Sequence, residues 1–334
     1  MKTVFAVDGG GSKTDAVLVQ EDGVVLGFVR GPLSHPHHIG VVASADAIDA
    51  LADVVGAPAD LAVLLLAGLD FPDEEDAYRA EAEQRGWAPE VVVGNDTFAV
   101  LRAGSECGWG VAVTCGSGMN CVGVAPDGRQ VRFPSLGAVS GDLMDGAGAI
   151  GLAAVSAAAR SEDGRGEKSE LERLVPAHFG LETPVGLARA LHDGAIASRR
   201  LGELAPLVFE AAETDAVAAG LVDRQAEEVV AFVRAAVNRL GLAGERVEVL
   251  LGGSILQSAN PRLIGGIEAG LSDVGPELVM RVASSRPIVG SVLLGLDRLG
   301  ASPDAYERAR RELDRATESV GDVTGNATAV REFP

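Results

Sequence analysis

Aromatic side chains are scarce, at 4% of 334 residues with two Trp and two Tyr, while the hydrophobic fraction is 47%. Any core must therefore be built from Ala, Val and Leu. Cysteine is scarcer. The three present, Cys107, Cys115 and Cys121, are odd in number and lack CxxC spacing. That excludes a disulfide framework, a zinc ribbon and a cysteine-bound cluster, and fits reduced thiols in the cytoplasm. Positive charge is short as well: 28 Lys and Arg stand against 48 Asp and Glu, for a net charge of −20, and no basic run offsets it. Nucleic acid and anionic membranes are thereby excluded as partners. No apolar run approaches the roughly 20 residues that cross a bilayer. The run Val4 to Val7 stops at an aspartate and three glycines, unlike a signal peptide. The expectation is a cytoplasmic protein long enough for two domains.

What the chain has in quantity is glycine, 43 residues, and the densest placement is Val4-Phe5-Ala6-Val7-Asp8-Gly9-Gly10-Gly11-Ser12-Lys13-Thr14. It reads as a buried strand, a glycine turn and a second strand from Asp15 to Gln20. Without Cβ atoms, Gly9, Gly10 and Gly11 allow backbone N–H groups to approach a bulky anion, and a phosphate chain is the obvious one. Lys13 adds charge, Ser12 and Thr14 add hydroxyls, and Asp8 at the strand end suits a metal ion beside the phosphates. The Walker loop is excluded, because the lysine comes two residues after the last glycine and a β-rich run follows. The dinucleotide fingerprint is excluded because it leads into a helix. A hairpin-type phosphate site remains, against the plain alternative of a glycine hairpin turn.

Compared with itself at an offset of 105 residues, the chain repeats this unit: Gly11-Ser12 falls on Gly116-Ser117, Val17 and Val19 on Val122 and Val124, and Asp22-Gly23 on Asp127-Gly128. Two half-molecules with one phosphate hairpin each imply a nucleotide gripped from both sides, unless the matches are chance in an Ala/Gly/Val-rich chain. Alternating strands (Leu61 to Ala67, Val91 to Val93) and helices (one capped by Ser44 and carrying Ile48, Leu51 and Val55; another from Asp73 to Arg85) describe an α/β first half. The segment Gly31 to His38 reads as a loop by its prolines. In the second half, strand Gly110 to Thr114 leads to a glycine-rich loop from Phe133 to Ala147. Helices are expected at 150–159, 170–178, 184–192, 201–212 and 216–240. Ser161 to Lys168 is the candidate for a mobile excursion. A buried strand from Val247 to Leu251 delivers Gly252-Gly253-Ser254, and a helix capped by Asn260 follows. Further on come an apolar helix from Val289 to Leu299, a charged helix from Pro303 to Thr317, and a patternless end, Glu318 to Pro334, open to reading as an ordered tail or a tag-like extension.

In order, Asp8 to Thr14, Asn95-Asp96, Cys115-Gly116-Ser117-Gly118-Met119-Asn120-Cys121, Gly141-Asp142 and Leu251 to Ser254 resemble the actin/hexokinase/Hsp70 superfamily. Within it they are most similar to the BadF/BadG type and its N-acetylglucosamine kinase branch. The resemblance implies two ribonuclease-H-like lobes (the actin-like ATPase fold) with a nucleotide cleft between them: lobe 1–105, lobe 106–286, a crossing helix 287–300 and a C-terminal helix and tail 301–334. It implies ATP and Mg²⁺ as cofactors. The loops at Asp8 to Lys13 and Thr114 to Gly118, the latter including Cys115, Gly116 and Ser117, would hold phosphates, and Gly252, Gly253 and Ser254 the adenosine. Asp96 would be the catalytic carboxylate, competing with a role as helix N-cap. His35, Asn95, Thr114, Ser117 and Asp142 would contact a sugar, with an Asx-turn role as the alternative for Asp142. A homodimer is also implied.

The chain departs from that branch where His35-Pro36-His37 replaces an Asn-His-Trp sequence and Leu136 replaces a tryptophan. These changes remove groups expected against the sugar ring and its acetamido substituent. The leading expectation is a kinase acting on a hydroxyl, at C6, of N-acetylglucosamine or glucosamine. An ATPase activating a dehydratase, or a non-catalytic sugar sensor, are the alternatives. Adjacent histidines in an extended loop point apart, which disfavours reading His35, His37 and His38 as metal ligands.

Overall fold

A computed structural model of the chain describes residues 1–275, 277–319 and 329–332. It divides into two compact units, residues 1–110 with 283–334, and residues 111–282. Of the patternless end, residues 320–328 and 333–334 lie outside the described residues.

The first unit opens as an antiparallel meander, β1 (Thr3–Gly9), β2 (Thr14–Gln20) and β3 (Val25–Gly31). Both faces of these strands are covered: Phe5, Val7, Ala16, Leu18 and Val29 join one core, and Val4, Ala6, Val17, Val19 and Phe28 the other. Burial on two faces is why the strands read as continuous apolar runs with no alternation. Helices α1 (Pro36–Ile39) and α2 (Val41–Val55) follow, then β4 (Leu61–Leu66) parallel to β1, α3 (Pro72–Arg85), β5 (Val91–Asn95) parallel to β4, and α4 (Thr97–Gly104).

Two local expectations change here. Part of the Gly31–His38 loop is helical, because Pro36 presets the first turn of α1. The next helix starts at Val41, where Gly40 with φ 84° makes the sharp entry. Ser44 is therefore no cap; it is fully buried, and its hydroxyl donates to the Ser34 carbonyl at 2.5 Å.

The second unit carries β6 (Gly110–Cys115), β7 (Met119–Val124), β8 (Gln130–Arg132), α5 (Ala147–Asp163), α6 (Leu171–His178), α7 (Pro184–His192), α8 (Ala205–Ala211), α9 (Ala216–Leu240), β9 (Val247–Gly252), α10 (Ser254–Gln257), α11 (Pro261–Ser272) and β10 (Leu278–Val282). Helix α5 outruns its expected end. Ser161 is consequently buried and donates to Glu172 Oε2 at 2.6 Å, while Lys168 Nζ returns to the Ser161 carbonyl at 2.8 Å. The supposed excursion from Ser161 to Lys168 is thus tied down. The single helix expected over 201–212 is a 3₁₀ segment, Ser198–Leu204, followed by α8, with Pro206 in the first turn of α8. Asn260 caps α11 as expected, accepting from Arg262 N at 3.0 Å and Leu263 N at 3.1 Å.

The chain then returns to the first unit as α12 (Pro287–Leu299), α13 (Pro303–Ser319) and β11 (Ala329–Glu332), the last antiparallel to β3. Two glycines let α12 lie close: a Cβ on Gly290 would overlap the Ala99 carbonyl, and one on Gly295 the side chain of Val4. Strand order is β3-β2-β1-β4-β5 in the first unit, extended by β11 beside β3, and β8-β7-β6-β9-β10 in the second. Position by position the wiring is identical, so the repeat at an offset of 105 residues is a repeat of folds.

Candidate active site

In the first unit the carboxyl ends of β1, β4 and β5 meet, since Gly9 pairs with Leu66 and Leu66 with Asn95. The turn after β1 is closed by Gly10 N donating to Lys13 O at 2.9 Å. Its tip, Gly11-Ser12, is exposed while the strands on either side are buried. Gly9 faces inward, where a Cβ would overlap Ser34 Oγ and Leu66. Thr14, expected to offer a hydroxyl to a nucleotide, is fully buried. Its Oγ1 donates to the Pro32 carbonyl, 2.7 Å away, and lies 2.8 Å from Ser34 Oγ, while Ser44 Oγ lies 2.8 Å from Tyr78 OH. That chain of hydroxyls fixes the first glycine hairpin to the loop bearing His35, and the Thr14 hydroxyl is engaged inside the protein.

Asp8 is half-buried on β1, directly across from Asp15 on β2, which in turn faces Arg30 on β3. Arg30 grips Asp15 through two bonds of 2.6 and 2.8 Å, both side chains being buried. Burial first, then the charges of Asp15 and Asp96, push the Asp8 carboxyl well above the usual carboxylate range; Lys13 and Arg30 oppose the shift. Asp96 joins β5 to α4, and burial, followed by the charge of Asp70, pushes it up to about 7. Asn95, expected at the sugar, is 2% exposed and acts as a brace. Its Nδ2 donates to Asp70 Oδ1 at 3.2 Å and to Leu69 O at 3.3 Å, and its Oδ1 accepts from Thr97 N at 3.0 Å.

His35 is half-buried over Gly68 and stacks on His38 with ring centroids 4.0 Å apart. Burial, with the neighbouring His38 and His37, lowers it to about 4, so it is neutral at physiological pH. Its Nδ1 is buried without a hydrogen-bond partner among the described residues. His37 pairs with Glu74 at 2.7 Å. Among the described residues no group of three or more His, Cys, Asp or Glu is arranged to ligate a metal.

In the second unit the turn between β6 and β7 is closed by Gly116 N donating to Gly118 O at 2.8 Å, and α5 clasps it through Ala147 N to Gly116 O at 2.9 Å. Ser117 and Gly118 are exposed, Gly116 and Thr114 half-buried. Gly253, with φ 83°, presses on the Cys115 carbonyl so closely that a Cβ would overlap it. The 252–254 segment and the second hairpin are therefore adjacent. Cys115 and Cys121 are fully buried, and burial pushes both thiols far up, so the Cys115 side chain offers nothing to a ligand. Asp142 is 6% exposed, accepting from Ser140 Oγ at 2.7 Å. With Asp145 and Glu228, both shifted up by burial and by neighbouring carboxylates, it makes an acidic neighbourhood in the glycine-rich loop.

Asp70, buried and bonded to Asn95, escaped the sequence reading, which ended its strand at Ala67. The available signal was a glycine, Gly68, at a strand end beside the strand that delivers Asp96.

Two sheets of identical wiring, each with a glycine hairpin between its first two strands, define the actin-like ATPase fold seen in sugar kinases. The chain belongs to the BadF/BadG/BcrA/BcrD ATPase family, whose profile matches residues 6–295. It is 26% identical over 269 residues to an N-acetylmuramic acid/N-acetylglucosamine kinase of Clostridium acetobutylicum, covering 78% of this chain and 87% of that protein. With an N-acetyl-D-glucosamine kinase of Dictyostelium discoideum it shares 24% over 267 residues, 73% of this chain and 82% of the relative. The solved structure of a candidate N-acetylglucosamine kinase from Chromobacterium violaceum superposes with a TM-score of 0.69 at 24% identity, over 88% of this chain and 99% of that one. Among the described residues no helix is long and apolar enough to cross a membrane.

Proposed function

We propose that the protein is an ATP-dependent kinase that phosphorylates a hydroxyl, at C6, of an amino sugar, N-acetylglucosamine or glucosamine. The observation that carries the reading is the place of Asp96: it follows the carboxyl end of β5, which lines up through Leu66 of β4 with Gly9 at the start of the exposed glycine turn, and burial pushes its carboxyl up to about 7. A base with a proton affinity near neutrality is suited to orient a sugar hydroxyl and take its proton. The exposed turns at Gly10 to Lys13 and Gly116 to Gly118 are suited to phosphate oxygens through backbone N–H groups.

The residues present also fit a divalent cation. Asp8, Asp15 and Asp96 crowd negative charge that Lys13 and Arg30 only partly balance. Mg²⁺ typically takes one or two carboxylates plus substrate phosphates, so Asp8 would hold it without a full protein cage. Bound Mg²⁺–ATP would supply the phosphoryl group and neutralise its charge. The chain's own work is to orient the acceptor at Asp96, with neutral His35 in the same unit as a sugar contact.

The dehydratase-activator alternative is less well supported, because Cys115 and Cys121 are buried and Cys107 alone is exposed. Coupled ADP release across N-acetylglucosamine, glucosamine, N-acetylmuramic acid and glucose tests the reading, with the phosphorylated carbon located by ³¹P–¹H NMR. Sugar-independent ADP release across the panel would sink it. Light scattering tests the homodimer that belongs to the same proposal.

A further inference from the structure

We propose that Asp70 is a positioning residue for Asp96: held from one side by Glu74, it braces through Asn95 the backbone that carries Asp96. This rests on the kinase reading above. Asp70 ends the short loop after β4, a loop anchored at its start by Ala67 N donating to Gly9 O at 2.8 Å. Because β4 pairs with β5 up to Leu66 opposite Asn95, this loop leaves the sheet beside Asp96.

The loop is held from its far side too. Glu74 Oε2 accepts from Asp70 N at 2.9 Å and Phe71 N at 3.0 Å, while its Oε1 meets His37 Nε2 at 2.7 Å. Asp70, 6% exposed, then takes Asn95 Nδ2 on its carboxylate. The same Asn95 carboxamide accepts from Thr97 N. Its bonds therefore straddle residue 96 and hold that residue at φ −60°, ψ −24°. A run of contacts leads from His37 through Glu74, Asp70 and Asn95 to the peptide carrying Asp96.

A carboxylate buried here is costly for folding. Of the other titratable groups, Asp8 on β1 feels the charge of Asp96 and is opposed by Lys13 and Arg30, and Glu75 from α3 packs near Gly94 on the strand that leads to Asp96.

The test uses two variants of the full chain. Asp70→Asn keeps shape and removes charge: the acid limb of the kcat profile should move down by about one unit, as expected for losing one like charge. Asp70→Glu keeps charge and displaces it: the limb should stay, while kcat falls about tenfold or more with sugar KM little changed, the cost of a misplaced base. A merely structural residue would alter melting temperature and leave the limb in place in both. A second measurement needs no activity: the thermal effect of Asp96→Asn is followed against pH with Asp70 intact and with Asp70→Asn. The pH at which that effect develops should be lower when Asp70 is replaced. Wild-type protein inactive on every sugar would sink the kinase reading, and the thermal cycle would still decide the coupling. An unmoved limb together with an unmoved thermal midpoint overturns the role proposed for Asp70.

Discussion

Replacing Asp96 by asparagine should make the protein more stable and nearly inactive, and the stability gain should depend on pH in a defined direction. The native carboxyl is pushed up to about 7, above its ordinary 3.8. Between those values the folded protein holds a proton that the unfolded chain has released, so stability is lost as pH rises through the window and is flat above it. At roughly 1.4 kcal/mol per unit the separation sets an upper limit of about 4 kcal/mol. Asp96 is only half-buried, so screening by solvent reduces this to on the order of 2 kcal/mol. For a chain of this size that is a rise of about 4 °C in melting temperature.

Asp96→Asn removes the titrating group, so its gain should be near zero at pH 4, partial at pH 5.5 and complete at pH 8. Paired thermal melts of wild type and variant in matched ionic strength read this directly, because every other titration cancels. On the activity side, loss of a general base costs about 10² to 10⁴ in kcat with little change in sugar KM. A gain of equal size at pH 5 and pH 8, or kcat within tenfold of wild type, would refute the assignment of Asp96.

Gly290→Ala should lower stability by about 1–3 kcal/mol in a melt, since overlap with the Ala99 carbonyl outweighs the helix propensity of alanine. Arg30→Met should cost about 3–5 kcal/mol in chemical denaturation by leaving Asp15 buried and unpaired, and adding Asp15→Leu should recover most of it. Mg²⁺ with ATP should raise the melting temperature more than ATP alone, by an increment of up to about 2.7 kcal/mol at hundredfold excess over Kd. Asp8→Asn should abolish that increment and leave the ATP-only shift.

The duplicated hairpins were legible because their signal is local: glycines at strand ends and paired Asp-Gly turns at one offset. The roles of Thr14, Asn95 and Ser44 were not, since each is a polar residue next to a motif whose partner lies far away in sequence. Thr14 turns to Pro32 and Ser34, Asn95 to Asp70, and Ser44 to Tyr78. Sequence spacing carries no record of such pairings, so a side chain engaged inside the protein and one facing a ligand look alike. Asp70 was missed for the same reason: its burial and its neighbours come from the parallel register of β4 and β5.

The return of the chain to its first unit also fixes an order of events on the ribosome. Val4, Ala6, Val17, Val19, Leu61, Val63 and Leu65 share one core with Ile288, Val289, Val292, Leu293 and Leu296. During synthesis that sheet face has only Ala99 and Ala103 of α4 to cover it until the segment from Pro287 emerges, whereas residues 111–282 form one uninterrupted compact unit. The portion encoded first is therefore finished last. Chains truncated before Pro287 would expose a greasy β surface and become clients for chaperones or nuclei for aggregation.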